Sequence, residues 1–214
     1  QANDTVIVFL SSHGISDPQQ NYYFVPKDAD NAEVQQILQG QSDTPASVIG
    51  WETFFEALSA TAGKRILIVD TCKAKSIGGR FDVKWLKKHS GSAHFASMVS
   101  SKGTEQSLED GKLGHGLFTE ALLKGIVSGC EGRCNGSITL NGLFDFSEKR
   151  LKENARGNGS DQQTPELSGS DEIRKSVIIN RKEDAGIGYT IEKWTRFLYG
   201  LWSKFLNFMK LEWV

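Results

Sequence analysis

Cysteine is scarce in this chain, with three in 214 residues. That is too few for a disulfide framework at this length, and a chain this long buries enough surface to fold without one. Only Cys130 and Cys134 lie close together, in Cys-Glu-Gly-Arg-Cys. A small disulfide, half of a metal site and two unrelated thiols all fit that spacing. No CxxC, no HExxH and no second ligand pair accompanies it, so neither a metal nor any other cofactor is expected. Long apolar runs are also missing. None approaches 18 residues, and no spanning helix is expected. An excess of one charge is absent too, with 25 Lys and Arg against 26 Asp and Glu. That balance excludes the broad basic footprint of a nucleic-acid binder, and no nucleic-acid partner is expected. No glycine-rich phosphate loop follows a strand, which argues against a nucleotide-binding domain. The first residue is Gln1, and no signal-like region precedes the first strand. The chain reads as a piece of a longer polypeptide, with its compartment open and the cytoplasm as the default.

What is present is an alternation of strands and helices. Thr5 to Leu10 is a β-branched apolar run that ends in Ser-Ser-His13-Gly14, and it reads as a strand buried on both faces. A shorter strand follows over 22–25, then a polar loop over 39–47. Trp51, Phe54, Phe55 and Leu58 recur at helical spacing, which predicts a helix over 50–61. Arg65 to Asp70 is a second buried strand with Thr71-Cys72 at its end. Residues 73–91 read as a long basic loop, 94–100 as a third buried strand, and 116–127 and 140–153 as helices. A polar loop is expected over 155–171 and a last strand over 176–180. This order implies an α/β sandwich around a mostly parallel sheet.

The last 24 residues differ. Ile191, Trp194, Leu198, Leu201, Trp202, Phe205 and Met209 form an apolar stripe at 3.6-residue spacing, with four cations against two anions. Such a helix packs on its own domain or on another part of the parent protein. The sharper reading is contact with a membrane surface through 191–214.

In open α/β sheets, functional residues gather beyond the carboxyl ends of the strands. Two strong strands end here, one in His13-Gly14 and one in Asp70-Thr71-Cys72. If they are neighbours, an imidazole faces a thiol, the pairing that makes a thiolate and protonates a leaving amine. The alternative is a packed cysteine and a histidine that merely ends a strand.

At this point the residues resemble a family. Ser-Ser-His-Gly after an apolar strand, Tyr-Tyr-Phe-Val-Pro-Lys-Asp-Ala-Asp, and Ile-Leu-Ile-Val-Asp-Thr-Cys look like the caspase-like cysteine peptidases, the bacterial and metacaspase-type members above all. The likeness continues through 100–126, 135–146 and 161–169, so it spans roughly residues 4–180. The resemblance implies a caspase-like three-layer αβα sandwich. It also implies that the strand and helix that normally open the fold are not in this chain and that a missing N-terminal part of the same polypeptide is a partner. The domain then covers 1–180, with a linker and the aromatic-rich helix over 181–214.

The activity the resemblance implies is cysteine endopeptidase action on protein or peptide substrates. His13 would be the general base and acid, and Cys72 the nucleophile. The backbone N–H groups of Gly14 and Cys72 would form the oxyanion hole. Asp70 would bind a basic side chain, so that cleavage follows Arg or Lys, with Glu105 and Asp110 adding negative potential. The plainer role for Asp70 is a strand-end carboxylate satisfied by nearby N–H groups. Lys73 and Ala74 after the nucleophile depart from the family pattern. Arg80, Lys84, Lys87 and Lys88 in the 73–91 loop match the expected specificity, which makes self-cleavage of a latent form an expectation. The reading from another class is a catalytically idle caspase-like module used for docking or assembly.

Overall fold

The computed structural model describes residues 4–19, 21–42, 45–73, 94–101, 109–110, 115–129, 136–158 and 163–180. Its spine is a strand whose residues are apolar on both sides, β4 (Lys64–Lys73). We number the other strands β1 (Thr5–Ser16), β2 (Tyr22–Val25), β3 (Ile49–Gly50), β5 (Phe95–Val99), β6 (Glu109–Asp110), β7 (His115–Gly116), β8 (Ser137–Thr139), β9 (Glu166–Gly169) and β10 (Val177–Asn180). The helices are α1 (Asn31–Leu38), α2 (Trp51–Ser59), α3 (Leu117–Ser128), α4 (Leu140–Asn158) and α5 (Asp171–Lys175). Six strands form the main sheet in the order β3-β2-β1-β4-β5-β9. The central β1, β4 and β5 are parallel, and antiparallel β2 and β9 flank them. Since β3 reverses again on β2, four of the six strands run the same way.

A strand sends alternate side chains to opposite faces, and β4 needs apolar residues at successive positions because both faces are covered. Ile66 and Ile68 join one buried cluster with Phe118 and Leu122 of α3, Leu143 and Phe146 of α4, and Ile173 of α5. Leu67 and Val69 join the opposite one, with Trp51 and Leu58 of α2 and with Tyr22 and Phe24 of β2. Helices therefore lie on both faces, giving the three layers. Val34 and Ile37 of α1 pack separately with Ile15, beside Tyr23 and Val25. The Asp30 side chain starts α1 by accepting the Ala32 N–H at 2.8 Å.

Several expectations are corrected. The first half of β1 is not buried on both faces: Thr5 to Phe9 are exposed or half-buried, and Ile7 is 44% exposed. Among the described strands, β2 flanks only His13–Ser16, whereas β4 runs beside all of Thr5–Gly14. The stretch expected as a polar loop over 155–171 contains the end of α4 and β9, which pairs with β5 at the sheet edge. The last strand, β10, pairs with β8 in a separate ribbon. Helix α1 has no counterpart in the sequence reading. Most of the 73–91 loop, the Cys130–Cys134 pair and the whole 181–214 segment lie outside the described residues. Among the described residues, no helix is long and apolar enough to cross a membrane.

Candidate active site

The site is built by one ladder. β1 and β4 pair in parallel without a break from Thr5 opposite Lys64 to Gly14 opposite Lys73. That register sets Ser11 opposite Asp70 and His13 opposite Cys72. Neighbouring strands lie about 4.8 Å apart, so positions 13 and 72 are next to each other one rung before the carboxyl end of the parallel ladder, while β1 itself runs on to Ser16 beside β2. The two-residue repeat of the strands places positions 11, 13, 70 and 72 on the same face of the sheet. Along that face of β1, Phe9 packs against the α3 and α4 cluster and Ile15 packs beside α1. His13, between them, is exposed.

On its other side His13 pairs with Val25 of β2, so its backbone is held between two strands. The turn that returns β2 onto β1 is tied by Asp17. Its carboxylate accepts the Asn21 N–H at 2.8 Å, the Asn21 side-chain amide at 2.7 Å and the Tyr23 hydroxyl at 3.4 Å. Burial, and then the Asp17 negative charge, raise the Tyr23 hydroxyl above its ordinary pKa of 10.0.

Gly14 is buried, opposite Phe24 and Lys73. The far end of the Tyr22 ring lies against it. A Cβ at position 14 would fall 1.8 Å from the Tyr22 hydroxyl oxygen, so any larger residue requires that ring to move.

Asp70 is 3% exposed, and one partner of its carboxylate comes from a helix. Its Oδ2 accepts the Thr119 backbone N–H at 3.2 Å and the Thr119 hydroxyl at 2.5 Å. Thr119 is the third residue of α3, within the turn whose N–H groups have no partner inside the helix. A carboxylate there also meets the favourable end of the helix dipole. Gly116, just before the helix, closes the contact, since a Cβ there would lie 2.7 Å from Asp70 Oδ2. The β6–β7 ribbon reaches the same place, because Gly116 pairs with Glu109 and the neighbouring rung joins Asp110 to His115. Asp110 is thus one rung from Gly116, the residue that abuts Asp70, whereas Glu105 lies outside the described residues.

Among the described residues, no group of three His, Cys, Asp or Glu side chains is placed to hold a metal ion. Sequence reasoning missed Tyr22 and Thr119. A hydroxyl in the first turn of a predicted helix was a weak signal for Thr119, but nothing local connects it to a carboxylate 49 positions earlier.

The family profile described as "Caspase domain" matches residues 1–176. No curated protein matches the chain. Among solved structures, the chain is similar to the crystal structure of caspase-1 from Spodoptera frugiperda, at 13% identity and a TM-score of 0.44. That alignment covers 78% of this chain and 60% of the other, so the chain spans less than two thirds of that relative's length. The profile match covers most of the chain, and the chain belongs to the caspase-domain family of cysteine peptidases.

Proposed function

We propose that the chain is a cysteine endopeptidase with a Cys72–His13 dyad that cleaves proteins or peptides after Arg or Lys. The observation that carries this reading is the register of His13 opposite Cys72 near the carboxyl end of the β1–β4 parallel ladder. A thiol needs help to ionise near neutral pH, and an imidazole within reach supplies it. His13 takes the Cys72 proton, and the thiolate attacks the scissile carbonyl carbon. The carbonyl π electrons move onto oxygen, where the N–H groups of Gly14 and Cys72 are the proposed donors. As the tetrahedral species collapses, the C–N bond breaks and imidazolium His13 gives its proton to the leaving amine. Water, deprotonated by His13, then adds to the thioester; the C–S bond breaks and the proton returns to Cys72.

The basic preference rests on Asp70, a buried carboxylate on the same strand and face as the nucleophile position; Asp110 and Glu105 are the residues proposed to add negative potential. A carboxylate there attracts guanidinium or ammonium and repels an acidic side chain.

The test is turnover of fluorogenic peptides ending in Arg, Lys or Asp by the wild type, Cys72→Ala and His13→Ala. Cleavage after Arg or Lys that falls by at least about 10³-fold in both variants is the expected result. Cleavage after Asp would keep the dyad and discard the role of Asp70. No turnover in a folded, processed sample would move the chain to the docking reading.

A further inference from the structure

We infer that Thr119 is a positioning residue that sets the choice between Arg and Lys by fixing the plane of the Asp70 carboxylate. This rests on the reading that Asp70 receives the basic side chain of the substrate. Both Thr119 donors, the backbone N–H and the hydroxyl, converge on the same oxygen, Oδ2. Two donors from one residue, in a pair at 3% and 5% exposure, hold the carboxylate against rotation about its last torsion. The Gly116 backbone also passes close to that oxygen, since a Cβ there would lie 2.7 Å from it.

The two candidate side chains ask different things of such a group. A guanidinium is a planar fork that pairs with a carboxylate through two parallel hydrogen bonds, so it depends on the orientation of the carboxylate plane. An ammonium is a compact point charge that tolerates a swinging partner. Without the hydroxyl, Thr119 reaches Oδ2 only through its N–H, at 3.2 Å and so at the long end of the hydrogen-bond range. The loss then falls on Arg, and Lys binding is largely kept.

The experiment compares Thr119→Val, Thr119→Ala and Thr119→Ser with the wild type on matched peptides ending in Arg or Lys. The same peptides are titrated by calorimetry onto Cys72→Ala protein carrying each substitution. Val keeps the shape and removes the hydroxyl, Ala removes it with the least steric risk, and Ser restores it. The expected result is a fall of about tenfold in kcat/KM for the Arg peptide, carried mainly by KM, in the Val or Ala variant. The Lys peptide changes less than about threefold, Ser keeps the wild-type ratio, and the Kd values follow the same pattern. An unchanged Arg-to-Lys ratio in the folded hydroxyl-less variants, or an equal loss in Ser, overturns the role of Thr119. Asp70→Asn separates the two levels of argument. If it leaves cleavage after both residues intact, the specificity role of Asp70 fails, and the inference with it. If it abolishes cleavage while the Thr119 variants keep the ratio, only the inference fails.

Discussion

Gly14→Ala adds one methyl group to the strand that carries His13, and the structure sets the size of its effect. The backbone of Gly14 is outside the left-handed region, so alanine meets no conformational penalty there and the cost is one of space. The new Cβ would lie 1.8 Å from the Tyr22 hydroxyl oxygen and 2.4 Å from Cζ. Ordinary contact begins near 3.4 Å, so the end of the ring must retreat by about 1.6 Å. Tyr22 is 8% exposed and meets Phe24 edge-on at 5.2 Å, and Phe24 in turn packs on Trp51 and Phe54 at 6.0 and 5.9 Å. With that cluster behind it, the ring does not move alone. Overpacking of this kind costs about 2–3 kcal/mol, a fall in Tm of about 4–12 °C for a domain of this size. A shift of about 1 Å in the backbone beside His13 would also reduce turnover by about 100-fold. The assay is a double-mutant cycle with Tyr22→Leu, which removes the atoms that clash. In that background Gly14→Ala should cost less than about 1 kcal/mol, a coupling of at least about 1 kcal/mol. An equal cost in both backgrounds would refute the steric argument.

Two further outcomes follow from single contacts. Gln163 is buried and donates through Nε2 to the Ser100 carbonyl at 2.9 Å, just beyond β5. Gln163→Ala takes away that donor and should lower stability by about 1–3 kcal/mol in urea unfolding, whereas a change within about 0.3 kcal/mol would show that the contact contributes little. Glu33 accepts from the Ser47 hydroxyl, and from the Ala46 and Ser47 N–H groups at 2.7 Å each. The Ser47 hydroxyl, then the two N–H groups, hold its pKa below the ordinary 4.5. A carboxylate depressed in the folded state stabilises above its unfolded pKa, and that stability is lost as pH falls through the folded value. Thermal unfolding between pH 6 and 3 should therefore decline less steeply below about pH 4.5 in Glu33→Gln than in the wild type. Parallel curves would contradict the assignment. Asp171, also depressed by Lys175 and Arg174, is unchanged in both proteins, so the difference isolates Glu33.

The strands that carry the site were legible in the sequence for a physical reason. A central parallel strand covered on both faces must be apolar at successive positions, and Ile66 to Val69 and Phe95 to Val99 leave little choice. Edges lack that constraint. β9 is Glu-Leu-Ser-Gly, half-buried throughout, and nothing in its pattern separates it from the loop before it. Helix α1 buries only Val34 and Ile37, so its periodicity is one turn deep, and its clearest signal was the capping Asp30. Both His13 and Cys72 could be read as following apolar strands, but β1 carries on past His13 to Ser16, and the pairing of the two could not be read, because register is a property of two strands. The Asp70–Thr119 contact joins a strand end to a helix start 49 residues on, and local patterns carry no information at that range.

The unbroken β1–β4 ladder has a consequence for how this chain can vary. It works as a ruler. The distance of His13 from the start of β1 and of Cys72 from the start of β4 matters more than most of the side chains between them. Conservative swaps among the intervening apolar residues change volume by a methyl or two and leave the count intact. One inserted or deleted residue in either strand changes the count. Absorbed by a slip, it would carry one partner to the opposite face of the sheet; absorbed by a bulge, it would rotate the strand end. Natural variants of this domain should therefore hold constant the number of residues between strand start and site, and put their length changes in the connections.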